Sequence, residues 1–370
     1  MEKQTLIIVI SAVFGLGSGI IMHRSDFCIA GMFRDLFLFR NSPWLRSLVL
    51  LIAISMLLFE TARLLGILSY SLPSPLFGLP ALTNLLGGII FGIGMVLAGG
   101  CVVSTLYKLG AGSLPAACAF IGLLIGSTLY AEFQPQWQQL DNATRLSDAA
   151  TLPQLLHLPQ TLVIFITLVV LSAILYRWHI KGLLLRPSWV SGYLQPRTAA
   201  VLLAVIGLLS FSLLGMPIGV TTSYAKVGSF VEEILYPQHF AHLSYFHKQG
   251  FEYLLPLSNQ TLHAGAGPFW DGLALVQFPL IVGIIVGSTL SAIRMKKFNC
   301  HFNIPPVQLL SALIGGIIMG LAARMSTACN IWHLLGGLPL LSLQSILFTL
   351  GLIPGAWLGT LLFTRFVVKA

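Results

Sequence analysis

Charged side chains are nearly absent from this chain: 20 lysines and arginines with 11 aspartates and glutamates make up 8% of 370 residues, against about 25% in a soluble domain. Hydrophobic residues reach 56%, and the mean hydropathy is +0.89. These proportions exclude a water-soluble globule and leave a polytopic membrane protein. The net charge of +9 does not point to nucleic acid, because the basic residues are dispersed between apolar runs and not gathered with aromatics on a polar face. Cysteine is sparse too, five in all. With no Cys-x-x-Cys and no nearby histidine pair, the usual spacing of a metal site is missing, and neither a metal nor a cofactor is expected. The first apolar run, Leu6 to Met22, lacks a small-residue cleavage site and leads straight into the polar segment from His23 to Asp35. It is expected to stay in the mature protein.

What is present is a series of apolar runs of bilayer-crossing length, about 17–25 residues each. They lie near 5–22, 45–68, 81–98, 113–131, 160–178, 198–214, 273–293, 306–323 and 340–366, so nine spans are expected. With the N-terminus outside, the inner side receives Arg24, Arg34, Arg40, Arg46, Lys108, Arg177, Lys181, Arg186, Arg197, Arg294, Lys296, Lys297, Arg365 and Lys369. The outer side keeps Lys3, Arg63, Arg145, Lys226, Lys248 and Arg324. The positive-inside rule therefore favours an outer N-terminus and a cytoplasmic C-terminus, with the polar inserts 132–159 and 231–271 outside. Glu60 and Arg63, one turn apart in the second run, are expected to pair, and the histidines of the second insert, His239, His242 and His247, read as a solvated loop.

An internal repeat gives the chain its organisation. Leu85-Leu86-Gly87-Gly88-Ile89-Ile90-Phe91-Gly92 returns as Leu313-Ile314-Gly315-Gly316-Ile317-Ile318-Met319-Gly320, and Cys101 or Cys329 follows the last glycine after eight residues. Downstream, Ser113-Leu114 leads to Gly122 and Gly126 as Ser342-Leu343 leads to Gly351 and Gly355. The copies sit in the third and eighth spans, an odd number of crossings apart, so they run through the membrane in opposite directions. The expectation is an all-α transporter of about nine transmembrane helices in two inverted repeats, with its substrate path between the halves. Residues 1–131 form the first repeat. Residues 132–197 hold an outer insert, a linking helix and a basic inner connection, and 198–370 form the second repeat with its outer insert near 231–271. Small-residue pairs such as Gly88-x3-Gly92 also serve close helix packing alone.

Four stretches, 23–38, 99–112, 215–230 and 324–338, are too short and polar for spans and too apolar for ordinary loops. They read as re-entrant half-helices, since non-helical backbone at membrane depth survives only inside protein or along a cavity. Their ends would offer free amides to an anion. Three carry a cysteine: Cys28 in Arg24-Ser25-Asp26-Phe27-Cys28, Cys101 in Gly99-Gly100-Cys101, and Cys329 in Ser326-Thr327-Ala328-Cys329-Asn330. In the fourth, alignment of Phe27 with Tyr224 puts Ala225 opposite Cys28. Three converging thiols suit a metal, a disulfide or recognition of a soft sulfur-bearing anion, to whose polarizable sulfur an S–H donates weakly. Lys108 and Arg324, at corresponding ends of the repeat-related segments, are candidate electrostatic mouths, and Arg24 and Arg34 are candidate attractors of an anion.

In the segments Arg24-Ser25-x-Phe27-Cys28, Gly99-Gly100-Cys101, Pro217-x-Gly219-Val220-Thr221-Thr222 and Ser326-x2-Cys329-Asn330, followed by Gly336-Gly337, the chain resembles the YeeE/YedE family of membrane proteins. The resemblance covers roughly 10–130 and 198–365. It implies a bacterial inner-membrane permease that imports thiosulfate or a related sulfur anion, and not an enzyme. It also implies a central path lined by Cys28, Cys101 and Cys329, and a small sulfur-carrier protein of the TusA type as inner-face partner. The substrate path expected comprises these cysteines with Arg24, Ser25, Gly99, Gly100, Thr221, Thr222, Ser326 and Asn330. The runner-up is a thiol-dependent membrane sulfurtransferase or oxidoreductase, or a transporter of a selenium or other sulfur compound. A catalytic thiol needs a lowering positive charge or base beside it; Arg24 is close to Cys28, whereas Gly99-Gly100-Cys101 has no such neighbour in sequence.

Overall fold

The computed structural model describes residues 2–39, 43–68, 77–185, 192–247, 251–257 and 260–368. Arg40, Arg186, Lys248 and Lys369 of the charge tally lie outside them. The helices are α1 (Glu2–Ser25), α2 (Ile29–Phe39), α3 (Pro43–Leu64), α4 (Leu82–Leu97), α5 (Val102–Gly110), α6 (Leu114–Ala143), α7 (Leu152–Leu155) and α8 (Gln160–Ile180). They continue as α9 (Pro196–Leu214), α10 (Thr221–Leu235), α11 (Pro237–His242), α12 (Ser244–His247), α13 (Gly272–Arg294), α14 (Pro306–Met325) and α15 (Leu343–Phe363), with a π-helical turn at Trp332–Gly337 between the last two. Among the described residues, nine helical stretches are long and apolar enough to cross a membrane, each on one of the expected runs. The protein is an all-α, multi-pass membrane protein.

Two inserts depart from a plain reading of polarity. Helix α6 continues to Ala143, through half of the insert expected at 132–159, because its polar end finds partners: Gln134 Nε2 donates to Gln138 Oε1 at 2.8 Å and Trp137 Nε1 to the Met325 carbonyl at 2.8 Å. The insert near 231–271 holds a two-stranded antiparallel hairpin, β1 (Phe251–Leu255) with β2 (Gln260–Ala264), whose Tyr253, Leu255 and Ala264 are buried in the core. Lys226, counted from sequence as an outer charge, is fully buried. Its three N–H groups reach the Gly267 carbonyl at 3.0 Å, the Phe269 carbonyl at 3.0 Å and Asp271 Oδ2 at 2.8 Å. Asp271 in turn caps α13 by accepting from Ala274 N, so the ammonium is satisfied within the loop that carries the chain from hairpin to helix. The expected pair of Glu60 and Arg63 forms, with Arg63 Nε 2.9 Å from Glu60 Oε2.

The repeat glycines are where helices touch. A Cβ on Gly88 would strike the Phe348 carbonyl, one on Gly355 the Ile89 carbonyl, one on Gly122 the Leu313 carbonyl and one on Gly316 the Ala119 carbonyl. Thus α4 of the first half packs on α15 of the second, and α14 of the second packs on α6 of the first, so each copy of the motif finds its partner in the opposite half. Contact order gives direction. Gly351 meets Leu85, Gly355 meets Ile89 and Gly359 meets Ile93, so α4 and α15 run parallel. Ser311 Oγ bonds the Leu97 carbonyl, while Gly87 lies against Ser326, so α4 and α14 run antiparallel. These directions agree with nine alternating crossings. Gly92→Leu is expected to lower stability by about 3 kcal/mol or more, since even a Cβ there would lie 2.6 Å from Ala356 N. Gly207→Ala on α9, where a Cβ meets nothing within 4 Å, should be neutral or slightly stabilising. Thermal unfolding in detergent checks both.

In the outer insert, His239 joins two helices: its Nδ1 lies 2.5 Å from Glu232 Oε1 of α10 and its Nε2 3.1 Å from Glu132 Oε1 of α6. The hydrogen bond with Glu232 and the charge of Glu132 raise its pKa above the usual imidazole value. A raised folded-state pKa stabilises below the unfolded value and loses that contribution as pH climbs through the folded one. The melting temperatures of the parent and of His239→Gln should therefore differ most at about pH 6 and below, and converge as pH rises.

Candidate functional site

Each of the four interrupted stretches has the same construction. A long helix ends on a residue with left-handed backbone, and a shorter helix begins a few residues later. The left-handed residues are Asp26, Gly99, Gly215 and Thr327, with φ of 51°, 70°, 72° and 67°. Glycine accepts this backbone freely, whereas β-branched Thr327 holds it only where neighbours insist. Gln344 Nε2 donates to Thr327 Oγ1 at 2.6 Å, Arg324 Nη2 to the Thr327 carbonyl at 3.2 Å, and His333 Nε2 to the Ser326 carbonyl at 3.1 Å.

Two residues after the left-handed position, in three of the four breaks, stands the cysteine, immediately before the first residue of the short helix. In the fourth, the chain takes five residues from Gly215 to reach α10 at Thr221. Val220 therefore occupies the equivalent place, and Ala225, aligned with Cys28 by sequence, lies inside the helix. A residue at that position caps the helix by accepting from amides of its first turn. Sulfur does so in two of the three breaks: Gly31 N donates to Cys28 Sγ at 3.4 Å, and the amides of Ile331 and Trp332 bond the Cys329 sulfur, whereas Cys101 makes no side-chain capping bond. The Cys28 thiol donates to Ser104 Oγ at 3.3 Å, and the Cys101 carbonyl accepts from Ser104 Oγ and Thr105 Oγ1, both at 3.0 Å. All three thiols are free and buried, while Cys118 is partly buried and Cys300 exposed.

Cross-ties sort the breaks into two pairs. In the first, Tyr107 donates its hydroxyl to Asp26 Oδ1 at 3.2 Å, and Lys108 Nζ reaches the Gly99 carbonyl at 2.6 Å and lies 3.9 Å from Cys28 Sγ. In the second, Arg324 donates from Nη1 to Thr222 Oγ1 at 3.0 Å and from Nη2 to Thr221 Oγ1 at 2.7 Å, while Gly219 leaves room for the Trp332 ring, 2.7 Å from where a Cβ would stand. The pairs meet at the Cys101 thiol, which lies beside the Asn330 amide, and Tyr224 lies within electrostatic range of both Cys101 and Cys329. Asn330 Nδ2 and Oδ1, Tyr224 Oη and Arg324 Nε are buried with no hydrogen-bond partner among the described residues. Buried polar atoms are normally satisfied, so a polar or anionic guest would gain most at this junction.

The expected path residues thus fall into two groups. Cys28, Cys101, Cys329, Gly99, Gly100, Thr221, Thr222, Ser326 and Asn330 sit in or beside the paired breaks. Ser25 bonds back to the Ile21 carbonyl at 2.7 Å within its own helix. Arg24 faces the connection to α9, where its carbonyl accepts from Leu194 N at 3.0 Å and its guanidinium lies by Gly192. The cation that reaches Cys28 is Lys108. Ser104, Tyr107, His333 and Gln344 escaped the sequence reading, and Tyr224 entered it only as the alignment partner of Phe27. Ser104 and Thr105 did carry a signal, as hydroxyls three and four residues after a helix-capping position return to its carbonyl. His333 and Gln344 carried none. Of the outer histidines, His239 is the ion-pair bridge and His247 bonds the Phe240 carbonyl at 3.0 Å.

The chain is 28% identical over 357 residues to the thiosulfate transporter TsuA of Spirochaeta thermophila, covering 94% of this chain and 96% of that protein. It is 24% identical over 355 residues to the thiosulfate transporter TsuA of Escherichia coli K12, covering 92% and 90%. A shorter match, 28% over 124 residues, joins 34% of this chain to 29% of the probable transporter YedE of Salmonella typhimurium. The profile of a family described as sulphur transport matches residues 24–358, from the helix end before Cys28 to the last span. On that match and on the motifs at its breaks, the chain belongs to the sulphur transport family, the YeeE/YedE family of transporters.

Proposed function

We propose that this protein imports thiosulfate or a closely related sulfur anion across a bacterial inner membrane, with the N-terminus outside and the C-terminus cytoplasmic. The reading takes the four short helices as re-entrant, two from each face, and the two halves as inverted repeats. The observation that carries it is the buried junction of Cys101, Cys329, Asn330 and Tyr224, with Lys108 at Cys28 and Gly99 in one pair of breaks and Arg324 at Thr221 and Thr222 in the other. Thiosulfate has a hard end of oxygens and a soft terminal sulfur. Arg324, the threonine hydroxyls and the amide of Asn330 suit the oxygens, while S–H groups donate weakly to the sulfur. Several weak contacts in series favour passage over trapping. A small sulfur carrier of the TusA type would collect the ion at the inner face.

The proximity of Lys108 to Cys28, 3.9 Å, favours a second reading, because a cation beside a thiol promotes the thiolate that sulfur transfer requires. Purified protein in liposomes separates the two. Transport predicts that labelled thiosulfate crosses chemically unchanged with no added reductant or acceptor. Persulfide on Cys28, Cys101 or Cys329 in stoichiometric yield, formed as the thiolate takes the outer sulfur, the S–S bond of thiosulfate breaks and one sulfite leaves, with no flux, would replace transport by sulfur transfer.

A further inference from the structure

We infer a second anion site on the Lys108 side of the cysteines, in a cavity of about 310 Å³ lined by Arg34, Gly99, Gly100, Lys108, Ser113 and Gln308. The inference rests on the transport reading and adds a resting place beyond the thiols. Three features make it an oxyanion site. First, Lys108 carries three N–H groups, of which one reaches the Gly99 carbonyl and another only the soft sulfur of Cys28. No carboxylate lies within ion-pair reach of it among the described residues. Second, Arg34 lines the cavity and spends Nε and Nη2 on Asp35 Oδ1, at 3.1 and 3.0 Å, so its Nη1 is not used in that pair, and Gln308 adds a side-chain amide. Third, the 30-residue α6 starts in this wall, with Ser113, Pro115 and Ala116 lining the cavity; Ser113 makes no side-chain capping bond and Pro115 has no N–H, which leaves the amides of Leu114 and Ala116 at the positive end of the helix beside the cavity.

The floor of the cavity is the backbone of the second break. A Cβ on Gly100 would stand 2.7 Å from Ser104 Oγ and 3.7 Å from Lys108 Nζ, so glycine there lets the Ser104 hydroxyl and the Lys108 ammonium keep their places against the cavity floor. The cavity wall has hard donors, whereas the junction presents thiols. The two sites therefore differ in selectivity: the junction discriminates by the terminal sulfur, and the Lys108 cavity accepts any small tetrahedral oxyanion, sulfate as well as thiosulfate.

Equilibrium binding of labelled thiosulfate to the purified full-length protein in detergent tests this. Two ions per chain are expected, of which unlabelled sulfate displaces one. The double variant R34Q/K108Q is expected to bind one ion, no longer displaced by sulfate. One ion per chain in a parent protein that transports normally overturns the second site and leaves the transport reading intact. Two ions that sulfate displaces equally, or two ions retained by R34Q/K108Q, also overturn it. A parent that neither binds nor transports thiosulfate defeats the transport reading itself. The competition arm needs no substitution, so it decides the matter even where the double variant fails to fold.

Discussion

Arg324→Gln is expected to lower thiosulfate uptake efficiency by about 100-fold at matched membrane abundance. Arg324 is 7% exposed, and its guanidinium holds Thr221, Thr222 and the Thr327 carbonyl and keeps Nε free of any partner among the described residues. A hydrogen bond involving a charged group contributes about 1.5–3 kcal/mol, and two such bonds to an anion, together with the charge itself, account for a loss of this size. Glutamine spans part of the distance to the threonines, so the fold should persist while anion attraction goes. Arg324→Lys keeps the charge without the planar fork, and it should fall between, near 10-fold. Initial rates of labelled uptake over a concentration series would check this, and a parental KM in Arg324→Gln would remove Arg324 from the path.

The three thiols carry the other large effect. Each single alanine replacement of Cys28, Cys101 or Cys329 should reduce uptake by about 3- to 10-fold, the equivalent of one weak hydrogen bond. The triple replacement should reach background if the three act in series. Serine separates structure from function at Cys28. A hydroxyl can still accept from Gly31 N and donate to Ser104, so Cys28→Ser should recover most of the stability lost in Cys28→Ala. It should rescue uptake poorly, because oxygen is shorter and harder than sulfur and suits sulfate oxygens better than a terminal sulfur. Alanine at Cys300, which is exposed, should be silent, and at partly buried Cys118 it should cost only a little packing. Uptake by the triple variant equal to that of the parent would dispose of a thiol-lined path.

The sequence by itself determined what is local or periodic. Nine spans follow from runs of apolar residues, because the bilayer tests each segment against one length and one polarity. The repeat follows from glycine spacing, since only glycine lets α4 meet α15, and α14 meet α6, backbone to backbone. The breaks were legible as well: Gly99 and Gly215 mark left-handed backbone, and the polar residues around Cys28 and Cys329 cannot face lipid.

What only the tertiary structure decided are the partners. Cys28 meets Ser104 across 76 residues and Arg324 meets Thr222 across 102, and no periodicity encodes pairing at that separation. Proximity in sequence favoured Arg24 for Cys28, yet a helix that ends at Ser25 carries Arg24 toward the 192–194 connection, and the turn of α5 brings Lys108 in its place. Lys226 read as a surface charge until the loop at 267–271 supplied three acceptors to a buried ammonium. The fourth break was misregistered by sequence, which placed Ala225 where the chain places Val220, because the helix cap sets the equivalent position and the longer linker moves that cap. Charge, capping and register at this site are settled by which helices pack together, and packing is a property of the folded pair and not of either segment alone.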